Sequence, residues 1–109
     1  MDGESLIFNS SVGLRLGPKH VVQEIVRFIE ESEKHQYKVI IATDSEQLQD
    51  KNADFVTAVV VHRVGNGGRY FWRGVQAGKF YSLRDRIINE VLLSLEVAKE
   101  ILIELKNTG

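Results

Sequence analysis

The chain has 109 residues, of which 43% are hydrophobic and 27% charged, an ordinary composition for one small globular domain. Its 14 basic and 15 acidic residues nearly cancel, so the net charge does not mark a nucleic-acid-binding protein. Cysteine is absent, which excludes disulfides and thiol catalysis. No apolar run approaches the ~20 residues of a membrane span, and the acidic start MDGESLIF lacks the basic residues of a secretory signal. We therefore expect a cytoplasmic protein that does not bind membranes, with residues 1–109 in a single domain.

A helix is predicted over about residues 18–34. Gly17-Pro18 opens it, because proline suits the first helical turn, where its missing N–H is not needed. Apolar residues then recur at helical spacing, namely Val21, Val22, Ile25, Val26, Phe28 and Ile29. The preceding residues, 1–16, are expected to form an extended lead-in.

Three strands are predicted next, over about residues 37–44, 54–64 and 69–76. The sequence GNGG at residues 65–68 separates the second and third strands, and such a turn needs the positive φ angles that glycine adopts. These two strands should therefore pair antiparallel, with the first strand joining them as a meander. The first two strands are apolar on both faces, which predicts a sheet with a helix packed on each side.

A long helix is predicted over about residues 83–106. Ser82 is a suitable N-cap, and Asp85 three residues later completes an approximate capping box. One helix face, which should look towards the sheet, is apolar: Leu83, Ile87, Val91, Leu95, Ala98, Leu102 and Leu105. The predicted fold is therefore α+β, with a three-stranded antiparallel meander, one helix before it and a long helix after it.

Two carboxylates are the candidate catalytic and metal-binding residues. Asp44 closes the first strand, where sheet enzymes often place their chemistry, and Glu90 lies on the rim of the apolar stripe of the last helix. If both face one site they repel, unless a hard divalent ion such as Mg²⁺ lies between them. The alternative is structural: Asp44 caps a loop, and Glu90 pairs with Arg86 at helical spacing.

Residues 63–86 carry six basic side chains against one acid, so this part of the chain could face an anion. The candidates for contact with backbone phosphates are Arg63, Arg69, Arg73 and Lys79. The alternative is a solvated hairpin surface. Tyr70, Phe71 and Trp72 could stack on bases. The alternative is that their rings cover the core or the hairpin. No glycine-rich phosphate loop with lysine and no zinc-spaced histidine pair occurs.

An apolar strand ending in TDS, two antiparallel strands and a helix bearing a glutamate resemble the first half of the ribonuclease H fold. More narrowly, the segments IIATDSE, VVVHRVGNGGRYF and LRDRIINEVLLSLEVA resemble the YkuK-like branch of that superfamily, small bacterial proteins predicted to be nucleases. The resemblance spans about residues 8–106. It implies a ribonuclease H-like nuclease that acts on RNA or DNA with Mg²⁺ or Mn²⁺. Asp44 matches the first-strand aspartate that bridges the metal ions, and Glu90 matches the helix glutamate.

The chain departs from the pattern of this family in two ways. Ala42 and Glu46 stand where the family motif has Gly and Gln. Members also continue into a fourth strand, and that part supplies at least one more carboxylate ligand. A chain of 109 residues is therefore expected to be a fragment, a shortened protein, or one that a partner completes.

Without a fourth strand, the first predicted strand becomes an exposed sheet edge with little protecting charge. We expect that strand to pair across a homo-oligomer interface, or to be shielded by a helix or loop. The leading functional hypothesis is a divalent-metal-dependent nuclease. The alternatives are a catalytically inactive nucleic-acid-binding module and an oligomerisation module.

Overall fold

The computed structural model describes residues 6–108, except the side chain of Thr108. In chain order the elements are β1 (Phe8–Ser10), β2 (Arg15–Leu16), α1 (Pro18–Glu30), β3 (Tyr37–Gln47), β4 (Ala53–Arg63), β5 (Gly68–Ala77) and α2 (Leu83–Thr108). Neither helix is long and apolar enough to cross a lipid bilayer.

The strands form one antiparallel sheet in the order β2-β1-β5-β4-β3. The predicted α+β class and the β3-β4-β5 meander are confirmed. The strand count was wrong, because the sheet has five strands rather than three. Residues 8–16, predicted as an extended lead-in, fold into a small hairpin whose first strand pairs with β5 through Asn9 and Trp72. Residues 1–5 of that lead-in lie outside the described residues.

The turn between β4 and β5 follows the predicted glycine pattern. Gly65 and Gly67 both have positive φ, at 82° and 90°, and Arg63 N–H donates to the Gly67 carbonyl at 2.9 Å. Two element ends differ from the predictions. Helix α1 ends at Glu30 rather than near residue 34. The polar residues 31–34 that follow it form turns instead. Strand β3 continues to Gln47, so Asp44 lies within the strand rather than at its end.

Both helices pack on the same face of the sheet, which corrects the prediction of one helix on each side. Strand β4 alternates accordingly: its odd-numbered residues from 53 to 61 are at most 2% exposed, whereas Val56 on the other face is 46% exposed. Helix α1 contributes Val21, Val22, Ile25 and Phe28 to this single core, and α2 contributes Val97 and Ile101. We call the helix-covered side the inner face of the sheet and the open side the outer face.

The apolar stripe of α2 does not face the sheet, contrary to the prediction. Its members Leu83, Ile87, Val91, Leu95 and Leu102 are between 46% and 62% exposed. The side of α2 that contacts the sheet carries Arg86, Glu90 and Ser94 and becomes apolar only at Val97 and Ile101. Polar contacts fix the first half of this helix, and its apolar side is left open.

Candidate functional site

The C-terminal part of β3 lies beneath the first turns of α2, and a serine joins them. Ser45 points to the inner face, where its hydroxyl donates a hydrogen bond to a carboxylate oxygen of Glu90. The same hydroxyl accepts a hydrogen bond from Arg86 Nε at 3.0 Å, and Arg86 also reaches Gln47 Oε1 at 3.4 Å. Ser82 begins this helix, since its hydroxyl accepts the Asp85 N–H at 3.1 Å. The cluster places an anion, a cation and a hydroxyl side by side.

A chain of three hydroxyls lies next to this cluster and fixes α2 along β3. Thr43 Oγ1 lies 2.8 Å from Thr57 Oγ1 and 2.7 Å from Ser94 Oγ. Thr57 is only 2% exposed, so its hydroxyl depends on this contact for a hydrogen bond. Because Ser94 is one helical turn beyond Glu90, the contact also fixes the position of the Glu90 carboxylate beside β3.

Asp44 points the other way. It pairs in register with Val56, belongs to the exposed residues of the outer face, and its Oδ1 accepts the Ser45 N–H at 2.9 Å. Glu46 and Asp54 lie beside it in one shallow depression and face each other across the two strands. Asp54 accepts a hydrogen bond from Gln76 Nε2 at 3.3 Å. The outer face therefore carries an acidic end at this edge of the sheet.

Asp44 and Glu90 thus lie on opposite faces of β3, joined through Ser45, which hydrogen-bonds both carboxylates. They also line different depressions, since Glu90 borders one formed with Thr43 and Ser94. Their oxygens are hard donors of the kind that Mg²⁺ and Mn²⁺ take. Within residues 6–108, no three acidic or histidine side chains come together around one point that could hold an ion. The donor chemistry fits a divalent ion, but as placed the two carboxylates do not form a shared site.

Two of the four predicted phosphate contacts meet around Phe28. The Arg63 guanidinium carbon lies 4.1 Å from the centre of that ring, and the Arg69 guanidinium carbon lies 4.5 Å from it. Arg63 also donates to the Phe28 carbonyl at 2.9 Å and to the Tyr37 hydroxyl at 3.0 Å. The hydrogen bond to Tyr37, with a weaker contribution from Glu31, raises the pKa of Arg63 above its ordinary value. This guanidinium is a fixed cation that holds α1 against β3 and β4.

The other two basic residues lie elsewhere. Arg73 approaches Glu96 of α2 at 3.4 Å and keeps 19% of its side chain exposed. Lys79 donates to the Asp50 carbonyl at 3.1 Å. The four cations therefore do not converge on one groove, and their contact with nucleic acid stays a prediction.

The three adjacent aromatic residues of β5 divide between the two faces. Phe71 is 3% exposed and belongs to the core. Tyr70 and Trp72 lie on the outer face and stack on each other, with ring centroids 5.3 Å apart and planes inclined by 26°. Tyr70 is 49% exposed, so one aromatic ring of this pair is open to a ligand or to solvent.

Reasoning from sequence selected Glu90 but did not assign roles to the residues around it. The sequence prediction gave Ser45 no role and treated Arg86 only as a helical partner of Glu90. The alternation of a strand was the available signal: adjacent residues point to opposite faces, so Asp44 and Ser45 cannot both face α2 in a regular strand. The spacing of Glu90 and Ser94 by four residues was the second signal, since both had to contact the same strand.

Comparison with known proteins gives a match to one family model. The model, described as ribonuclease H-like, matches residues 20–108, which is well over half of the chain. No curated protein and no solved structure matches the chain. The matched range includes β3, β4, β5 and nearly all of both helices, and therefore contains both Asp44 and Glu90.

Proposed function

Because the chain belongs to the ribonuclease H-like family, we propose that it is a divalent-metal-dependent nuclease that hydrolyses phosphodiester bonds of RNA or DNA. Asp44 and Glu90 are the carboxylates of the reaction, and Ser45 and Arg86 are positioning residues that orient Glu90. The observation that carries this proposal is the hydrogen bond between Glu90 and Ser45. This bond holds the Glu90 carboxylate of α2 beside Ser45, the residue that follows Asp44 in β3.

The neighbours of Glu90 fix the position of its carboxylate. The carboxylate accepts a hydrogen bond from the Ser45 hydroxyl, which in turn accepts one from the Arg86 guanidinium. Hydrogen bonds in a connected chain strengthen one another and restrict the side chains that form them. This chain of contacts therefore holds the Glu90 oxygens in one place beside β3, where they can serve as ligands.

Mg²⁺ or Mn²⁺ would supply the chemistry of activating water and neutralising charge on the reacting phosphate. Mg²⁺ is usually held by only one or two carboxylates, with water and substrate phosphate as its other ligands. Asp44 and Glu90 would each supply one such carboxylate, with water and phosphate oxygens completing the ligands of the ion.

Phosphate contacts are assigned to the four basic residues Arg63, Arg69, Arg73 and Lys79. Arg63 is the weakest of these candidates, because the Tyr37 hydroxyl and the Phe28 carbonyl already occupy its donors. Arg73 and Lys79 have single, longer contacts that a phosphate oxygen could replace. If these residues neutralise phosphates, the affinity for nucleic acid should fall as the salt concentration rises, more steeply for each phosphate contacted.

The test is cleavage of end-labelled RNA, DNA and RNA–DNA hybrid in Mg²⁺ or Mn²⁺, with chelator as the blank. Asp44→Asn and Glu90→Gln should each reduce the rate at least about 100-fold, the scale expected when one charge-stabilising group is removed. Glu46→Gln, two residues further on the same strand face, and Glu96→Gln, on the same helix, are the matched controls and should stay within about threefold. Calorimetric titration with Mn²⁺ gives a readout that is independent of turnover.

No metal-dependent cleavage of any of the three substrates would overturn the proposal. So would cleavage that both carboxylate variants retain. Salt-sensitive binding without cleavage would identify a nucleic-acid-binding module instead, and the Mn²⁺ titration would then show no heat.

A further inference from the structure

Strand β3 is an edge strand, and its backbone shows which groups are free. Val64 N–H donates to the Gln36 carbonyl, and Leu48 N–H donates to the Asn52 carbonyl, at the two ends of an unbroken β3–β4 ladder. Even-numbered residues of β3 therefore direct their backbone groups at β4, and odd-numbered residues direct theirs outward. Within the described residues, the outward N–H of Ser45 is occupied by the side chain of Asp44. Those of Val39, Ile41 and Thr43 face the open edge.

The side chains along this edge do not protect it. Between Lys38 and Asp44 every residue is uncharged, and none is proline. Protein edges are usually blocked by charges, proline, bulges or a covering segment. Residues 39–43 offer none of the first three, and Val39 and Ile40 are 47% and 51% exposed. The open edge is a template for another strand.

The apolar stripe of α2 runs beside the same edge. Helix α2 contacts β3 through Ser94 and β5 through Glu96, so it crosses above β3 and β4 on the inner face. Its stripe members Val91, Leu95 and Leu102 are between 53% and 60% exposed. A partner that adds a strand to β3 therefore also meets an apolar helix face.

We propose that the partner is a second copy of this chain, with the two β3 strands paired antiparallel about a twofold axis through Ile41. The two sheets would join into one of ten strands. A twofold axis perpendicular to the sheet keeps the helices of both copies on one face, so the two α2 helices become neighbours. A closed isologous contact of this kind is the commonest way in which a chain covers its own open surface.

The pairing of charged and apolar residues favours this register. With Ile41 on the axis, Lys38 lies directly opposite Asp44 of the second copy, and the symmetric pair forms as well. Opposite charges placed directly across a strand pair stabilise it. Between those two ion pairs only uncharged residues meet, such as Ile40 with Ala42. Moving the axis by one residue to Ala42 would pair Lys38 with Glu46 instead, but it would also set the Asp44 carboxylate against the apolar Ile40.

The helices fit the same axis. Glu90 meets Ser45 and Ser94 meets Thr43, so α2 runs antiparallel to β3. Ile41 lies two strand residues, ~7 Å, beyond Thr43, which corresponds to four or five helical residues beyond Ser94. That level is Ala98, the one small side chain of the stripe. The helices would therefore cross at a small residue, and the stripe leucines would flank the crossing on both sides.

The spacing across the joined sheet supports the same arrangement. If each α2 lies above β3 and β4, the two helix axes are about two strand spacings apart, ~10 Å. Packed helices lie 8–10 Å apart. The β3 edges can thus pair at hydrogen-bonding distance while the α2 stripes are in contact.

The first test measures mass by light scattering and sedimentation from about 1 to 200 µM, a range that brackets a micromolar interface. Leu95→Glu with Leu102→Glu should raise the dimer dissociation constant at least about 100-fold, because four charges then enter the helix contact. Val12→Glu, an exposed apolar residue in the β1–β2 turn at the opposite end of the sheet, is the control and should leave the constant within about threefold. A wild-type monomer at every concentration would overturn the proposal and leave the edge to another protein or a further segment of polypeptide.

The second test is a charge exchange that reports the register. Lys38→Glu and Asp44→Lys should each raise the dissociation constant about tenfold, and the double variant should return it to within about threefold of wild type. Circular dichroism confirms that each variant is folded. If the double variant is no tighter than the single ones, Lys38 and Asp44 do not face each other and the proposed register is wrong.

The third test uses the absence of cysteine from the sequence. A hydrogen-bonded antiparallel pair has Cα atoms about 5.5 Å apart, within the range that a disulfide spans, whereas diagonal neighbours at about 7–8 Å are too distant. Ile41→Cys should therefore form disulfide-linked dimers at least about tenfold faster than Ala42→Cys. Faster cross-linking through Ala42→Cys, or none through either in a dimeric protein, would refute the axis through Ile41. These readouts are independent of nuclease activity.

Discussion

Helices α1 and α2 lie on the same face of one sheet and differ in how they are held there. Helix α1 buries its apolar side completely, with Val21, Val22, Ile25 and Phe28 at most 3% exposed. The first half of α2 is held by hydroxyl and charged groups, while its apolar residues Ile87 and Leu95 are 46% and 60% exposed. An apolar stripe therefore identifies a helix but does not by itself predict which surface the stripe contacts.

The largest expected effect comes from the side that α1 covers. Phe28→Ala should lower the free energy of unfolding by about 3–5 kcal/mol, because it leaves a cavity in the core and removes the ring beneath two guanidinium groups. Urea unfolding followed by circular dichroism measures it. Leu95→Ala on α2 is the counterpart and should cost less than about 0.5 kcal/mol in dilute protein. Equal losses would mean that α2 buries its stripe in the monomer.

Arg63→Ala should have the next largest effect, a loss of stability smaller than that of Phe28→Ala. Its guanidinium donates charge-assisted hydrogen bonds to the Phe28 carbonyl and the Tyr37 hydroxyl, and such bonds are stronger than those between neutral groups. Arg63→Lys should recover little, because one ammonium does not reproduce the planar fork. Arg69→Ala provides the control, since its side chain is exposed and its main contact is with the Phe28 ring. A smaller loss for Arg63→Ala than for Arg69→Ala would contradict this ranking.

The hydroxyl chain beneath α2 should contribute least of the three. Thr57→Val keeps the shape of the side chain but leaves the Thr43 hydroxyl with one partner fewer, which should cost about 1 kcal/mol. Val56→Thr, the adjacent residue on the outer face, should change stability by less than about 0.5 kcal/mol. Chemical denaturation of both variants checks the difference. A neutral Thr57→Val would show that apolar packing rather than hydroxyl contact holds α2 there.

The order of the elements and the antiparallel meander followed from local signals. Gly17-Pro18 predicted the start of α1, the sequence GNGG at 65–68 predicted the β4–β5 turn, and Ser82 predicted the start of α2. The β1–β2 hairpin was missed because strands of three and two residues are too short to show an alternating pattern. The prediction of a helix on each side of the sheet was wrong. It rested on the apolar outer residues of β3 and β4, such as Ile40 and Val56, which are exposed.

The candidate site was predicted only in part, for a related reason. Helical geometry placed Glu90 towards the sheet, and it does contact Ser45. The meeting of Asp44 with Glu90 required the strand to end at Asp44, whereas β3 continues to Gln47. Because a regular strand alternates its side chains, those three extra residues keep Asp44 on the outer face. Ser45 and Glu46 are polar, and nothing in their sequence pattern indicated that they continue β3 and pair with β4 instead of forming a loop.

The one-sided cover of the sheet has a consequence for how β4 tolerates sequence change. Its odd-numbered residues, from Ala53 to Val61, are enclosed and admit only side chains of similar volume. The residues between them lie on the open side, where Asp54, Val56 and His62 are exposed and replacement by polar residues disturbs little packing. In a saturation library of this strand, positions that tolerate few substitutions should therefore alternate with positions that tolerate many. Homologous sequences should differ mainly at the tolerant positions, with the same period of two residues.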